Sequence, residues 1–221
     1  MTSSPEVRIA PPYRPPPIDV MPTLFADAAY VVVDKPSGLL SVPGRGPEKA
    51  DCALTYAEVG YGPLLVVHRL DMDTSGLLVF ARTKAAQTAL ARAFEARKVL
   101  KTYQAVVDGR ILDMEGRVDL PIAAYSRQRP LRHIAPDGRP SVTDWHCISR
   151  SSDSSRLWLY PKTGRSHQLR LHMQAIGNPI LGDAFYGDVG RSGRLLLHAA
   201  QMAFPPLPGS HLSEITSSIP F

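Results

Sequence analysis

Two short apolar runs, residues 64–67 and 77–80, enclose a mostly polar nonapeptide, His68-Arg-Leu-Asp-Met-Asp-Thr-Ser-Gly76. Their leucine- and valine-rich composition predicts central strands over 64–69 and 77–82. An arginine, a carboxylate and two hydroxyls are therefore held between two strands that the core must bury. Polar side chains presented by rigid strand ends are what a catalytic centre needs.

The rest of the chain predicts how those strands are surrounded. Residues 1–20 carry Pro5, Pro11, Pro12, Pro15, Pro16 and Pro17, which remove backbone donors and favour extended geometry. We read this stretch as a leader outside the main sheet, preceding a single catalytic domain over 21–221. A first strand is expected over 29–33, followed by a glycine- and proline-rich loop over 35–47 that is placed to line a site. Thr83 is a good helix N-cap, and Ala86, Ala89, Leu90, Ala93 and Phe94 follow at amphipathic spacing. Further strands are predicted over 103–107 and 117–122, as a pair either side of Pro136-Asp-Gly-Arg-Pro140, and over 156–160 after a Ser/Asp turn. A last helix over 166–176 ends at Gly177, a natural C′ residue. Strands outnumber helices and the turns are short, which favours an α+β fold with a mixed, largely antiparallel sheet and packed helices over repeating βαβ units.

With 221 residues, 44% of them hydrophobic and 20% charged, the chain can bury a sizeable core as one domain. It has neither a signal peptide nor an apolar run long enough to cross a membrane, so the expected location is the cytoplasm. Cys52 and Cys147 stand far apart and outside any Cys-x-x-Cys element, which argues against a disulfide framework or a structural zinc site. A net charge of +5 and a pI near 9.4 favour polyanionic partners without requiring them.

The nonapeptide excludes several readings. Asp71-x-Asp73-x-Ser75-Gly76 resembles the start of a calcium-binding loop, but its twelfth position is Arg82 where a bidentate Glu is needed. It also resembles an aspartyl-phosphate phosphatase motif, yet His68-Arg69 precede it and no later acidic pair completes a magnesium site. His167 and His172 are five residues apart and would diverge by about 140° on a helix, so they share no metal-binding face. Taken alone, Asp71 reads as an ordinary turn carboxylate capping backbone N–H groups.

A resemblance spread across the chain changes that reading. The nonapeptide is similar to the His-Arg-Leu-Asp-x-x-Thr-Ser-Gly signature of the RluA family of RNA pseudouridine synthases. Val33-Asp-Lys-Pro-Ser-Gly-Leu-Leu-Ser-Val-Pro-Gly44, Lys101-Thr-Tyr103, Gly164-Arg-Ser-His-Gln-Leu-Arg170, Pro179-Ile-Leu-Gly-Asp183 and Leu196-Leu-His-Ala199 resemble that family's other elements, in its order. The likeness is greatest to its short bacterial members, which act on both 23S rRNA and tRNA and lack an S4 domain, for which the leader here leaves no room.

The resemblance implies a fold with a central RNA-binding cleft and an isomerisation that needs neither cofactor nor metal. It assigns the nucleophile to Asp71, an active-site tyrosine that stacks on the target base to Tyr103, and a salt-bridge partner for Asp71 to Arg165. A carboxylate that must stay charged once RNA excludes water needs such a cation. The N-terminus expected for the last helix beside Arg165 would act in the same direction. Flipping the target uridine out of its stack costs a few kcal/mol, and the resemblance makes Arg69 the residue that fills the vacated space. Asp73 occupies a position the family pattern leaves variable.

Arg127, Arg129, Arg132, His133 and Arg139 crowd into a predicted hairpin beside Tyr125, a basic ribbon suited to the backbone of an RNA stem-loop. The expected partner is thus a 23S rRNA or tRNA stem-loop, without a membrane, and the default assembly is a monomer. A catalytically weak RNA-binding or ribosome-assembly protein of the same fold is the alternative, and a magnesium-dependent phosphatase is a third.

Overall fold

Every residue of Ser75–Ala81 is buried, and this strand, β4, is the one on which the rest of the architecture is arranged. The computed structural model describes residues 13–125 and 130–221. In chain order the flanking elements are β1 (Thr23–Ala26), β2 (Tyr30–Lys35), α1 (Ala53–Tyr61) and β3 (Leu65–Val66) before β4. After it come α2 (Lys84–Glu95), β5 (Leu100–Asp108), β6 (Glu115–Asp119), β7 (Ile122–Ala124), β8 (Arg132–Ile134), β9 (Val142–Arg150), β10 (Ser154–Pro161), α3 (Gln168–Ala175), β11 (Leu197–Ala203) and β12 (Glu214–Thr216).

The main sheet runs β1-β2-β4-β11-β5-β10-β9-β6, with β3 against β4 and β12 against β11, while β7 and β8 form a separate hairpin. Among the described residues only β4 and β11 pair in parallel, Ser75 opposite His198 and Gly76 opposite Ala199. The mixed, largely antiparallel α+β architecture expected from the sequence is the one observed. Alternation along β2 and β4 sends Val32, Leu77 and Val79 to one face with Leu90 of α2. Val31, Val33, Leu78 and Phe80 go to the other face, with Ala53 and Ala57 of α1. A further core joins β5, β9 and β10 to Leu169 and Met173 of α3. Tyr103 of β5 packs against both the α2 core and the α3 core, at the seam between the two halves.

The Thr83 cap forms as expected: its side chain accepts the Ala86 N–H at 3.1 Å, and Ala86, Leu90 and Ala93 face the core. Burying a leucine such as Leu90 contributes about 2 kcal/mol. Helix α1 has no counterpart in the sequence reading. It starts at a cysteine rather than a usual cap, and Thr55 Oγ1 accepts the Cys52 N–H at 3.0 Å to close a capping box. The strand expected over 64–69 stops at Val66, because the His68 side chain takes over: its Nε2 accepts the Val79 N–H at 3.0 Å. The strands either side of residues 136–140 do not pair with each other. Instead β8 returns on β7, with Ile122 opposite Ile134, while β9 pairs with β6 and β10.

Of the proline-rich leader, residues 13–16 lie against the loop and helix that follow β2. The Tyr13 hydroxyl donates to the Asp51 carbonyl at 2.9 Å and accepts the Leu40 N–H at 3.0 Å, and the Tyr56 hydroxyl donates to the Pro16 carbonyl at 3.2 Å. No helix among the described residues is long and apolar enough to cross a membrane.

Candidate active site

Asp71 opens a tight turn, its carbonyl accepting the Thr74 N–H at 3.2 Å just before β4 begins. The loop after β2 holds the backbone on both sides of it. Ser41 Oγ donates to the Leu70 carbonyl at 2.8 Å and accepts the Leu70 N–H at 3.0 Å. Ser37 Oγ donates to the Asp73 carbonyl at 2.7 Å. Lys35, wholly buried, spreads its ammonium over the carbonyls of Pro36, Leu39 and Met72 at 2.9, 2.7 and 2.8 Å. Burial pulls the Lys35 ammonium down to about 7, against the opposing pull of Asp73 and Asp71. With its neighbours' backbone tied down, the Asp71 side chain is left partly exposed, facing α3 and the residue before it. Gly76 closes the motif where only glycine fits. At φ +108 its missing Cβ would lie 2.3 Å from the Ala199 carbonyl oxygen of the parallel partner strand.

The cation facing Asp71 is Arg170, with NH1 3.6 Å from Oδ2. This corrects the expectation that Arg165 is the partner. Arg165 instead sits on the loop ahead of α3, its Nε donating to the Pro140 carbonyl at 3.4 Å. Burial and the neighbouring charges of Arg139 and Arg97 lower its pKa, so it belongs to a cluster of cations. The physical reason lies at His167. That residue takes the left-handed conformation, φ 58, so α3 begins at Gln168 rather than Ser166, which leaves Arg165 away from the helix start and puts Arg170 in the first turn.

Arg170 sits in the first turn of an almost wholly buried helix and is itself 2% exposed. Burial disfavours its charge, but a bidentate contact with the fully buried Asp183 more than offsets this and raises its pKa. Nε and NH2 donate to Asp183 at 2.7 and 2.6 Å. The guanidinium also stacks over the rings of Phe185 and Tyr186, at 5.0 and 5.3 Å. Asp183 Oδ1 accepts the Phe185 and Tyr186 N–H groups as well, at 2.9 and 3.0 Å. His167 Nε2 lies 3.9 Å from Asp71 Oδ1, so the carboxylate stands between an imidazole and a guanidinium.

Tyr103 lies in the same electrostatic field. Burial first, and then the charge of Asp71, raise its pKa, so the phenol stays neutral at ordinary pH. Asp73, which the motif pattern leaves variable, is half-buried here. Burial raises its pKa against the pull of Arg170 and Lys35, so it shares the cations that serve Asp71. Arg69 is exposed and makes no hydrogen bond or ion pair among the described residues.

Arg127 and Arg129 lie outside the described residues. Arg132 begins β8, its guanidinium donating to the Pro130 and Leu131 carbonyls and its N–H to the Tyr186 hydroxyl at 3.0 Å. His133 lies against Tyr125 in a tilted arrangement, ring centroids 4.1 Å apart. His167 and His172, already unsuited to sharing a metal by their spacing, have other partners. His167 Nδ1 meets Tyr186, while His172 bonds Thr143 Oγ1 and the Leu120 carbonyl. Among the described residues no cluster of His, Cys, Asp or Glu could hold a metal ion.

Arg170, Asp183 and His167 lie inside the sequence motifs without a role assigned by them, and Tyr186 lies outside those motifs. A usable signal existed for Arg170. Arg170 shares a helix face with Met173 three residues on, and an arginine on a core-facing stripe needs a carboxylate.

A model of the RNA pseudouridylate synthase family matches residues 29–175. The chain is 44% identical over 197 residues to the dual-specificity RNA pseudouridine synthase RluA of Pasteurella multocida, covering 87% of this chain and 90% of that protein. It is 44% identical to the RluA of Escherichia coli K12 over 195 residues, 86% and 89% of the two chains. Among solved structures, human RNA pseudouridylate synthase domain containing 1 superposes with a TM-score of 0.79 at 27% identity, over 94% of this chain and 87% of that one. Human RNA pseudouridylate synthase domain containing 4 does so with a TM-score of 0.71 at 26% identity, over 90% and 88%.

Proposed function

The chain belongs to the RNA pseudouridylate synthase family, and from that membership we propose that it isomerises uridine in stem-loops of 23S rRNA, tRNA or both, with Asp71 as the nucleophile. The observation that carries the assignment is the setting of Asp71: a partly exposed carboxylate on a loop with immobilised backbone, flanked by Arg170 and His167.

In the proposed reaction Asp71 attacks C1′ of a flipped uridine and the N1–C1′ bond breaks. The detached uracil turns, C5 bonds to C1′ as the ester to Asp71 breaks, and the C5 proton leaves while N1 gains one. Atoms and charge balance without an oxidant, a reductant or an energy donor. Arg170 stabilises the carboxylate as water is excluded, since its own charge is held by Asp183. Tyr103 is the ring on which the base stacks, and its neutral hydroxyl suits it to donating a hydrogen bond. Arg69, exposed beside the nucleophile, takes the place of the flipped base through its planar guanidinium. Arg97, Arg139 and Arg165 form a cationic surface suited to phosphates, and the β7–β8 hairpin that carries Arg132 borders the same site. The naming of the bacterial relatives as dual-specificity enzymes supports both RNA classes as substrates. An enzyme acting on such RNA works in the cytoplasm, and nothing in the site asks for more than a monomer.

The test uses RNA transcripts labelled with tritium at uridine C5, because the rearrangement releases that atom to water. Wild-type protein should release tritium from 23S rRNA fragments or tRNA in the presence of EDTA, and Asp71→Asn should release none. No release from any of these RNAs favours an RNA-binding protein of the same fold, and release abolished by EDTA favours a metal-dependent mechanism.

A further inference from the structure

His167 combines three properties that a spectator residue would not need. It is buried, it adopts the left-handed backbone conformation that non-glycine residues rarely take, and its two ring nitrogens face different functional groups. Nδ1 lies 2.7 Å from the Tyr186 hydroxyl, and Nε2 points to Asp71 Oδ1 at 3.9 Å. We infer that His167 is a positioning residue for Asp71, presenting an Nε2–H to one carboxylate oxygen while Arg170 holds the other, and that Tyr186 sets the tautomer that makes this possible. The inference rests on the pseudouridine synthase reading above and deepens it.

The tautomer follows from counting donors and acceptors. The Tyr186 oxygen accepts the Arg132 N–H at 3.0 Å. Its own proton has one acceptor at hand among the described residues, His167 Nδ1. If Nδ1 accepts, the proton of a neutral imidazole is on Nε2, facing a carboxylate that can only accept. In the opposite tautomer the Nε2 lone pair would face the Asp71 carboxylate, and the tyrosine proton would have no partner among the described residues. Burial and the nearby Arg170 and Arg132 hold the imidazole in its neutral form, with Asp71 pulling the other way. The ring is fixed by stacking on Phe185 at 5.7 Å and by an edge contact with Tyr186 at 5.5 Å. A separation of 3.9 Å is long for a hydrogen bond, as catalytic contacts often are before substrate closes the site. Because the Tyr186 oxygen also holds the first residue of β8, the orientation of Asp71 is tied to the hairpin beside the site.

Asparagine and glutamine distinguish this role from a purely conformational one. Asparagine tolerates the left-handed backbone better than histidine, but its amide ends near the Nδ1 position and cannot reach Asp71. Glutamine places an N–H near the Nε2 position. With wild-type activity established on a cognate RNA, His167→Asn should lower the single-turnover rate by about thirtyfold, as expected when a reacting group loses its alignment. RNA affinity should stay within about twofold of wild type, and the protein should remain folded with a lowered thermal midpoint, because the buried ring contacts with Phe185 and Tyr186 are lost. His167→Gln should recover most of that loss, and Tyr186→Phe should lower the rate by a smaller factor of about five. In the wild-type protein the ¹⁵N spectrum of His167 should show the proton on Nε2. The inference is overturned if His167→Asn matches wild type, if glutamine is as poor as asparagine in a folded protein, or if the wild-type proton sits on Nδ1. Absence of pseudouridine with the wild type itself would instead refute the functional reading on which it rests.

Discussion

Arg170 and Asp183 are joined by two hydrogen bonds, Nε to Oδ2 at 2.7 Å and NH2 to Oδ1 at 2.6 Å, with both side chains buried. This fork leaves NH1 as the part of the guanidinium that looks toward Asp71. Removing one member of a buried pair leaves the other charge uncompensated, which costs about 3–5 kcal/mol. Asp183→Asn should therefore lower stability in urea by about 3 kcal/mol and depress tritium release by at least about a hundredfold, because Arg170 loses its orientation. Stability near wild type would show that the pair is not the anchor described.

Arg69 is exposed and makes no hydrogen bond or ion pair among the described residues. Arg69→Lys keeps the charge but loses the planar stacking surface. The expected outcome is an unchanged melting temperature with kcat/KM reduced by about tenfold, since the flipped-out state of the RNA loses its stabilisation. A fluorescent base analogue at the target position should report less flipping in the complex. Equal flipping in both proteins would exclude this role for Arg69.

Lys35 satisfies three carbonyls from two loops with one ammonium group. Lys35→Met retains the bulk of the side chain and removes every donor. Leaving buried carbonyls unpaired costs about 1–3 kcal/mol each, so the variant should lose at least about 3 kcal/mol of stability. Its remaining folded fraction should be slow in turnover, because the Met72 carbonyl beside Asp71 is released. Urea titration and amide exchange across residues 70–74 check both statements.

His198 sits 1% exposed in a directional chain. Arg194 donates to Ser75 Oγ at 2.5 Å, Ser75 Oγ bonds His198 Nδ1 at 2.8 Å, His198 Nε2 bonds Ser217 Oγ at 2.9 Å, and Ser217 Oγ donates to Asp34 at 2.7 Å. Burial, and then Arg194, push His198 from 6.5 down to about 4. The unfolded chain binds this proton between those values and the folded chain does not, so stability falls as pH drops from 6.5 towards 4. The loss attributable to His198 is about 3 kcal/mol over that window, at 1.36 kcal/mol per pKa unit. His198→Asn should be less stable at pH 7 and show a shallower decline on acidification. Parallel curves for the two proteins would rule out this histidine as the source.

The cations around Arg165 give a separable prediction about RNA affinity. Burial, and then the nearby charges of Arg139 and Arg97, lower the Arg165 pKa, and none of the three arginines is in an ion pair among the described residues. Replacing all three with glutamine should weaken binding similarly for every RNA and reduce the slope of log affinity against log salt by about two, at about 0.7 per phosphate contact for single strands. An unchanged slope would place RNA elsewhere.

Much of the fold was legible from local pattern. The buried run in β4, the Thr83 cap of α2 and the αL glycine after α3, Gly177 with φ +83, are each decided by residues within one or two turns of one another. Helix α1 was missed because its cap is a cysteine, and β3 was overextended because a histidine side chain, not a backbone group, meets Val79. The pairing of β8 with β7 rather than β9 is likewise a choice among strands of similar local character.

The sequence by itself determined that Asp71 stands on a short polar loop between two strands, and that the motifs around it are those of an RNA pseudouridine synthase. Only the tertiary structure decided which arginine meets Asp71. Arg165 and Arg170 are both cations of the same motif, and the apolar neighbours of Arg170 indicate burial without naming its partner. The left-handed turn at His167 starts the helix late, and Asp183 captures the guanidinium that the helix buries. Periodicity reports the local path of the backbone, whereas the partner of a charge across about a hundred residues depends on how distant elements pack and on which cation can be desolvated without loss.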